Sequence, residues 1–238
     1  MSANLLEVQG LRAAHGQLVA VRDLAFSIAR GEVVALIGAN GAGKTTLLRC
    51  LAGVHPAAAG RVTLAGTDIS ALLAHQRVRR GLAMVPEGRR LFDDMSVREN
   101  LRVAGDHGRP GDWTLPRVLE ALPALPPIIH RPAGALSGGQ RQAAAIGRAL
   151  MTNPDVLLLD EIGGGLTEGE LHQLVDLIGT LRAAGLTIVW IEHVLHALLR
   201  VIDRLVCMDA GAILAEGTPN EVMADPRVMS AYLGGAAA

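Results

Sequence analysis

The chain has 238 residues, a formal net charge of −1 and an apolar content of 50%, which suits one or two domains with a large core. The near-neutral charge argues against nucleic-acid binding, which usually needs a strong basic excess. The apolar residues come in short runs, far below the roughly 18 needed to cross a bilayer. The N-terminus has neither the basic start nor the apolar stretch of a signal peptide, so we expect no leader and no membrane span.

Three residues are singled out by composition alone. Cys50 and Cys207 are the only cysteines and stand apart in apolar segments, which favours buried thiols in a reducing compartment over a disulfide or a metal site. Lys44 is the single lysine among the 22 Lys and Arg residues. This bias suggests that position 44 needs a compact ammonium on a flexible stem, which arginine does not provide.

In chain order, the N-terminal part alternates as strands do, and then gives a strand, a glycine-rich loop and a helix. The predicted strands in this part cover residues 5–11, 18–28, 33–37, 61–64 and 82–85. The middle of the chain has no β-rich run: helices are predicted at 97–103, 117–122 and 140–150, separated by Gly- and Pro-rich stretches. Strands then return at 156–159, 186–191, 205–208 and 212–215, with helices at 168–183 and 194–201.

This alternation predicts an α/β fold with a mainly parallel sheet. We expect three parts. Residues 1–94 form an N-terminal β subdomain with the first part of a nucleotide-binding core, 95–153 form a helical insert, and 154–238 complete the core.

The loop after the third predicted strand fits the pattern G-x-x-x-x-G-K-[ST], and it lies between a strand and a helix as a phosphate-binding loop must. Its backbone N–H groups can surround a phosphate, and the helix N-terminus adds positive potential. Lys44 can reach the β- and γ-phosphates, and the Thr45 hydroxyl can bind Mg²⁺. The residues expected to hold ATP here are Gly38, Asn40, Gly41, Gly43, Lys44, Thr45 and Thr46.

The strand at 156–159 ends in two carboxylates, Asp160 and Glu161. A buried charge is costly unless it is paired, and a Mg²⁺ ion would supply the partner for Asp160. Glu161 is then placed to accept a proton from an attacking water. Two solvated loop acids are the alternative, which the nearby phosphate loop disfavours.

Residues 136–140 read Leu-Ser-Gly-Gly-Gln. Ser137 can cap a helix whose first turn exposes backbone N–H groups, and alone this would be an ordinary capped helix. In series with the phosphate loop and the Asp-Glu pair, however, the motif resembles the signature of the ABC ATPase family, and the resemblance covers nearly the whole chain. It implies a P-loop NTPase (RecA-like) core with an N-terminal antiparallel β subdomain and an α-helical signature subdomain.

The resemblance also implies roles for further residues. A second cassette, identical or paralogous, would pair head to tail, and its bound ATP would be contacted by Ser137, Gly139 and Gln140. His193 matches the histidine that holds the γ-phosphate and positions the water. Glu87 stands where most relatives carry a metal-directed glutamine, and His15 falls where an aromatic ring stacks on adenine. Glycines at 163–165 replace the usual dimer-facing sequence, which leaves the role of that loop open.

The segment 85–92 and the ending 231–234 look like the ATPases of branched-chain amino acid importers. This likeness implies permease subunits as partners and a cytoplasmic position on the inner face of the membrane. Residues 87–92 are expected to border the groove that receives a permease helix, with Arg89 and Arg90 offering charge to it. The alternatives are cassettes for urea or amide uptake or for lipopolysaccharide export, a soluble ABC ATPase without a transporter, and a degenerate cassette that binds ATP without turnover.

Overall fold

A computed structural model describes residues 4–192 and 198–234, which form two β-sheets with helices on both sides of the larger one. The smaller sheet is antiparallel and has the strand order β2-β1-β4-β5. Its strands are β1 (Asn4–His15), β2 (Leu18–Ala29), β4 (Ala59–Leu64) and β5 (Thr67–Asp68). It corresponds to the antiparallel β subdomain that the resemblance implied.

The larger sheet has the order β10-β9-β3-β8-β7-β6 and is parallel except for β10. Its strands are β3 (Val33–Ile37), β6 (Leu82–Val85), β7 (Val156–Asp160), β8 (Thr187–Ile191), β9 (Arg204–Asp209) and β10 (Ala212–Gly217). Every residue of β3, β7 and β8 is buried. Burial on both faces explains why these strands are continuous apolar runs rather than alternating patterns.

The helices are α1 (Lys44–Leu51), α2 (Ala74–Arg79), α3 (Val97–His107), α4 (Leu115–Ala121), α5 (Gly138–Leu150), α6 (Glu168–Ala183), α7 (Pro219–Ala224) and α8 (Pro226–Gly234). Alternate residues of β3 face opposite sides of the sheet, as the strand period requires. Val33 packs into a core shared with α3, α4, α5 and α6, whereas Val34 packs into one shared with α1 and the smaller sheet. The predicted fold class is confirmed.

Several short elements are absent from the sequence prediction. These are β5, α2, α7, α8 and the 3-10 turns at Pro126–Ile128 and Ala133–Ala135. Half of the helix predicted at 194–201 falls outside the described residues. Among the described residues, no helix has the length and apolar character needed to cross a membrane.

Both cysteines are buried free thiols, as predicted. Burial raises the pKa of Cys50 to about 11, against a smaller opposing effect of Arg77. Burial likewise raises the pKa of Cys207.

Candidate nucleotide site

The loop between β3 and α1 is held in a tightly curled shape by two of its glycines. Gly38 and Gly43 have φ values of 145° and 97°, in the region that L side chains rarely adopt. A Cβ atom at either position would lie 2.1 Å from a backbone oxygen, that of Met208 for Gly38 and that of Ala20 for Gly43. Only glycine therefore lets the loop pack against β9 and β2.

Lys44 begins α1 and folds back onto its own loop. Its Nζ donates to the carbonyl oxygens of Gly38 (2.7 Å) and Ala39 (3.1 Å), and only 4% of the residue is exposed. Burial lowers the pKa of Lys44, while the carboxylates of Glu161 and Asp160 act in the opposite direction. The ammonium thus lies at the centre of the loop, close to the Asp-Glu pair.

The structure brings Thr45 and Asp160 into direct contact. Thr45 Oγ1 donates to Asp160 Oδ1 over 3.0 Å. Asp160 is fully buried, and within the described ranges its Oδ2 has no hydrogen-bond partner. Burial raises the pKa of this carboxyl, and the bond from Thr45 opposes the rise.

An unpaired oxygen on a buried carboxyl is costly, and a divalent cation would compensate for it. Hydroxyl and carboxylate oxygens are the ligands that Mg²⁺ prefers. The buried Asp160 Oδ2 and the Thr45 hydroxyl therefore fit a Mg²⁺ ion whose other ligands would be phosphate oxygens and water. Glu87 lies after β6 with its side chain exposed, and its charge contributes to the raised pKa of Asp160.

Glu161 follows Asp160 with a left-handed backbone, φ 48°. Its N–H donates to the carbonyl oxygen of Ile191, the last residue of β8, over 3.0 Å. Non-glycine residues in this conformation are concentrated at functional sites. His193, two residues beyond β8, lies outside the described residues.

His15 lies at the end of β1 beside the start of α1. Its Nε2 is 3.0 Å from Thr46 Oγ1, and its ring centroid is 4.5 Å from that of His55, at an interplanar angle of 40°. The structure thus places His15 next to one of the residues predicted to hold ATP. Asn40 and Gly41, which are also predicted to hold ATP, are exposed on the loop between β3 and α1. Stacking of His15 on adenine stays a prediction.

The signature motif forms the N-terminus of α5. Gln140 N donates to Ser137 Oγ (3.3 Å), and Ser137 N donates to Gln140 Oε1 (3.1 Å), which together form a capping box. Among the residues that the structure describes, the Ser137 hydroxyl donates to no acceptor. A Cβ at Gly139 would lie 2.4 Å from Glu170 Oε1, so this glycine packs directly on α6. In the part of the chain that the structure describes, no hydrogen bond joins the signature to the phosphate loop.

Three residues make contacts near the site that the sequence did not indicate. Arg89 bonds within the chain, with its Nε donating to Gln142 Oε1 (3.1 Å) and its Nη2 to the Gly164 carbonyl (3.0 Å). Contact of residues 87–92 with a permease stays a prediction. Glu192 Oε2 accepts from Gly163 N over 2.7 Å, and Arg148 donates to two backbone carbonyls after β6. These partners are dozens of positions apart in the sequence, and only the fold reveals the contacts.

A separate apolar groove of about 350 Å³ lies between β6, α3 and α5. Its lining includes Phe92, Met84, Val103, Ala149 and Arg148. Phe92 is 49% exposed. Its backbone is nevertheless fixed by the buried Asn100 side chain, which accepts from Phe92 N (2.9 Å) and donates to Phe92 O (3.0 Å).

Comparison with known proteins gives consistent results. A family described as ABC transporter matches residues 21–163, and one described as branched-chain amino acid ATP-binding cassette transporter matches residues 212–238. The high-affinity branched-chain amino acid transport ATP-binding protein BraG of Pseudomonas aeruginosa is 39% identical, over 93% of this chain and 96% of its own length. A second relative, the high-affinity branched-chain amino acid transport ATP-binding protein LivG of Escherichia coli, is 34% identical, over 98% of this chain and 99% of its own length.

Two solved structures are also similar to this chain. One is a nucleotide-free ATP-binding cassette from an ABC transporter, with a TM-score of 0.87 and 31% identity over 97% of this chain and 99% of the other. The second is the ADP conformation of such a cassette, with a TM-score of 0.84 and 31% identity over 98% and 100%.

Proposed function

This chain belongs to the ABC transporter family of ATP-binding cassettes, and we propose that it hydrolyses ATP as the motor subunit of an importer of branched-chain amino acids. The observation that carries the hydrolysis is the contact between Thr45 and Asp160, with the buried Asp160 Oδ2 beside Glu161. The transported class is supported by the names of the relatives, BraG and LivG.

In this proposal ATP binds through the loop before α1. Lys44 leaves the two carbonyls to which it donates and takes up the β- and γ-phosphates. Thr45, Asp160 and Glu87 would hold Mg²⁺, directly or through water, and the bound ion would neutralise the charge that develops on the transferred phosphoryl group.

Glu161 accepts the proton of the attacking water as the general base. Its left-handed backbone and the hydrogen bond from its N–H to Ile191 O fix the backbone from which the Glu161 side chain extends. His193 is proposed to position the same water.

Catalysis requires a second cassette, identical or paralogous. The Ser137 hydroxyl, which donates to no acceptor in the described part of the chain, and the positive end of the α5 dipole can bind an anion. Within the described ranges these groups have no hydrogen bond to this chain's own phosphate loop, which supports a role toward the ATP of a partner. A head-to-tail dimer would place two ATP molecules between two such surfaces.

The groove around Phe92 is the proposed docking site for a short cytoplasmic helix of the permease. An exposed aromatic anchor beside an apolar groove is typical of protein interfaces, and Arg148 places a guanidinium within reach of the carbonyls or acids of such a helix. Through this contact the cassette would be held at the inner face of the membrane.

Replacement of Glu161 by glutamine tests the hydrolysis. Glu161→Gln keeps the shape of the side chain and removes the proton acceptor, so ATP turnover should fall by ~10²–10⁴-fold while ATP binding persists and an ATP-bound dimer accumulates. Phosphate release and light scattering measure both effects. Glu120→Gln, which changes an exposed carboxylate of α4, is the matched control. Hydrolysis by Glu161→Gln at the rate of this control would refute the general-base role.

A further inference from the structure

The three glycines at 163–165 are held from both sides despite their conformational freedom. On one side, Gly163 N donates to Glu192 Oε2 over 2.7 Å, and Glu192 is only 4% exposed. A Cβ at position 163 would lie 2.5 Å from that oxygen. Glycine is therefore needed here so that a buried carboxylate can reach the backbone.

On the other side, a single guanidinium joins the loop to the signature helix. Arg89 donates through Nη2 to the Gly164 carbonyl and through Nε to Gln142 Oε1 on α5. Gly138, the first residue of α5, lies against the same group, since its Cβ would be 3.9 Å from Arg89 Nη2. Two hydrogen bonds in different directions from one planar guanidinium are a geometry that the lysine ammonium does not reproduce.

Arg89 is itself held by α5. Arg89 and Arg90 have φ values of 64° and 47°, a left-handed pair that persists only where its surroundings fix it. Arg148 of α5 supplies that restraint, because it donates to the carbonyl oxygens of Arg89 (3.1 Å) and Arg90 (2.6 Å). The turn after β6 and the signature helix therefore fix each other.

The two restraints on the glycines come from the strands on either side of β7. In the sheet, β7 lies between β8 and β6; Glu192 follows β8 and Arg89 follows β6. We propose that Arg89 and Glu192 are positioning residues that clamp the triglycine loop (residues 163–165) in a fixed position relative to the signature helix. The loop and the signature then close as one rigid surface on the ATP of the partner cassette.

This inference rests on the proposed function, hydrolysis across a dimer of cassettes. The two partners of the Arg89 side chain, Gln142 and Gly164, are not among the loop residues predicted to hold ATP. Loss of the clamp should therefore leave ATP binding to a single cassette unchanged and should impair dimer closure and turnover.

The test uses the full chain with Arg89→Ala, Arg89→Lys and the control Arg80→Ala. Arg80 is an exposed arginine at the end of α2 whose side chain makes no hydrogen bond or ion pair within the described part of the chain. Three quantities are measured: ATP affinity by titration with a fluorescent ATP analogue, kcat and KM for hydrolysis, and ATP-dependent dimerisation by light scattering in a Glu161→Gln background.

Arg89→Ala should lower kcat and weaken the ATP-bound dimer by roughly tenfold, as expected for the loss of charge-assisted hydrogen bonds, with the affinity of one cassette for ATP unchanged. Arg89→Lys should recover little of this loss, since it restores the positive charge without the planar guanidinium that makes both hydrogen bonds. Arg80→Ala should behave as the wild-type chain.

Three results would overturn the proposal. One is dimerisation and kcat of Arg89→Ala equal to those of Arg80→Ala. Another is full recovery by Arg89→Lys, because charge alone would then suffice. The third is a loss explained by weaker ATP binding or by unfolding in a thermal melt, which would make Arg89 merely structural. If the wild-type chain itself neither hydrolyses ATP nor dimerises, the proposed function fails first, and the inference with it.

Discussion

Lys44 is buried at the start of α1. Its ammonium is buried among loop carbonyls, near two carboxylates, and the rest of the chain uses arginine throughout. A side chain kept only for its charge would tolerate arginine, whereas the proposed contact with phosphate calls for a compact ammonium on a flexible stem. The sequence pointed to this residue by composition, and in the proposed function Lys44 exchanges its two carbonyl partners for phosphate.

Chemical labelling can test this role directly, because Lys44 is the only lysine. Mg-ATP should slow the modification of Lys44 by an amine-reactive reagent, since the bound phosphates would cover Nζ. The N-terminal amine offers an internal control whose labelling should not change. Peptide mass spectrometry reads both sites in one sample. Equal labelling of Lys44 with and without nucleotide would rule out its contact with phosphate.

At the scale of elements, the sequence predicted best those segments whose own residue pattern reveals their surroundings in the fold. The strands β3, β7 and β8 are almost entirely apolar because both of their faces are covered, so each apolar run predicts a central strand. The phosphate loop and the signature were equally clear, since each joins fixed residue types to a helix N-terminus.

The elements that were missed depend on distant partners. Helix α2 is short and polar, and it is held by Arg77, whose Nη1 donates to the carbonyl oxygens of Cys50 and Leu51 at the end of α1 (both 2.7 Å). Arg89 bonds to Gln142 and Gly164, which lie 53 and 75 positions away in the sequence. No local pattern encodes such long-range bonds, and therefore neither could be predicted.

The triglycine loop offers a matched pair of substitutions at adjacent positions. Gly163→Ala puts a methyl group 2.5 Å from Glu192 Oε2 and should lower the free energy of unfolding by about 1–3 kcal/mol, with loss of ATPase activity. Gly164→Ala meets nothing closer than 3.6 Å, the backbone oxygen of Glu161, and leaves the carbonyl that Arg89 binds. Its effect on stability should stay within about 0.5 kcal/mol.

Urea unfolding and phosphate release measure both variants. The pair distinguishes a loop that needs glycine for close approach at one position from a loop that needs flexibility throughout. In the second case both substitutions would impair activity alike, and the clamp by Glu192 would lose its support.

At the scale of the whole molecule, α5 contributes to both proposed contact surfaces, the signature that would face the partner cassette and the groove that would receive the permease helix. Its N-terminus carries the signature, its middle binds Arg89 through Gln142, and Arg148 near its C-terminus lines the groove. Arg148 also lies 6.0 Å from the ring of Phe92. A change in the groove can therefore reach the dimer-facing surface through one rigid helix and its fixed turn, without passing through the phosphate loop.

The groove gives the last prediction, which concerns assembly. Phe92→Ala should leave the isolated cassette folded and able to bind ATP, because the side chain is half exposed and its backbone is fixed by Asn100. Removal of an interface anchor typically costs about 2 kcal/mol or more of binding free energy. Co-purification with the permease and uptake of leucine by cells should therefore both fall. Leu73→Ala, which truncates another exposed apolar side chain outside the groove, controls for the loss of exposed apolar surface as such. Should Phe92→Ala match Leu73→Ala in both assembly and uptake, the permease docks elsewhere on the cassette.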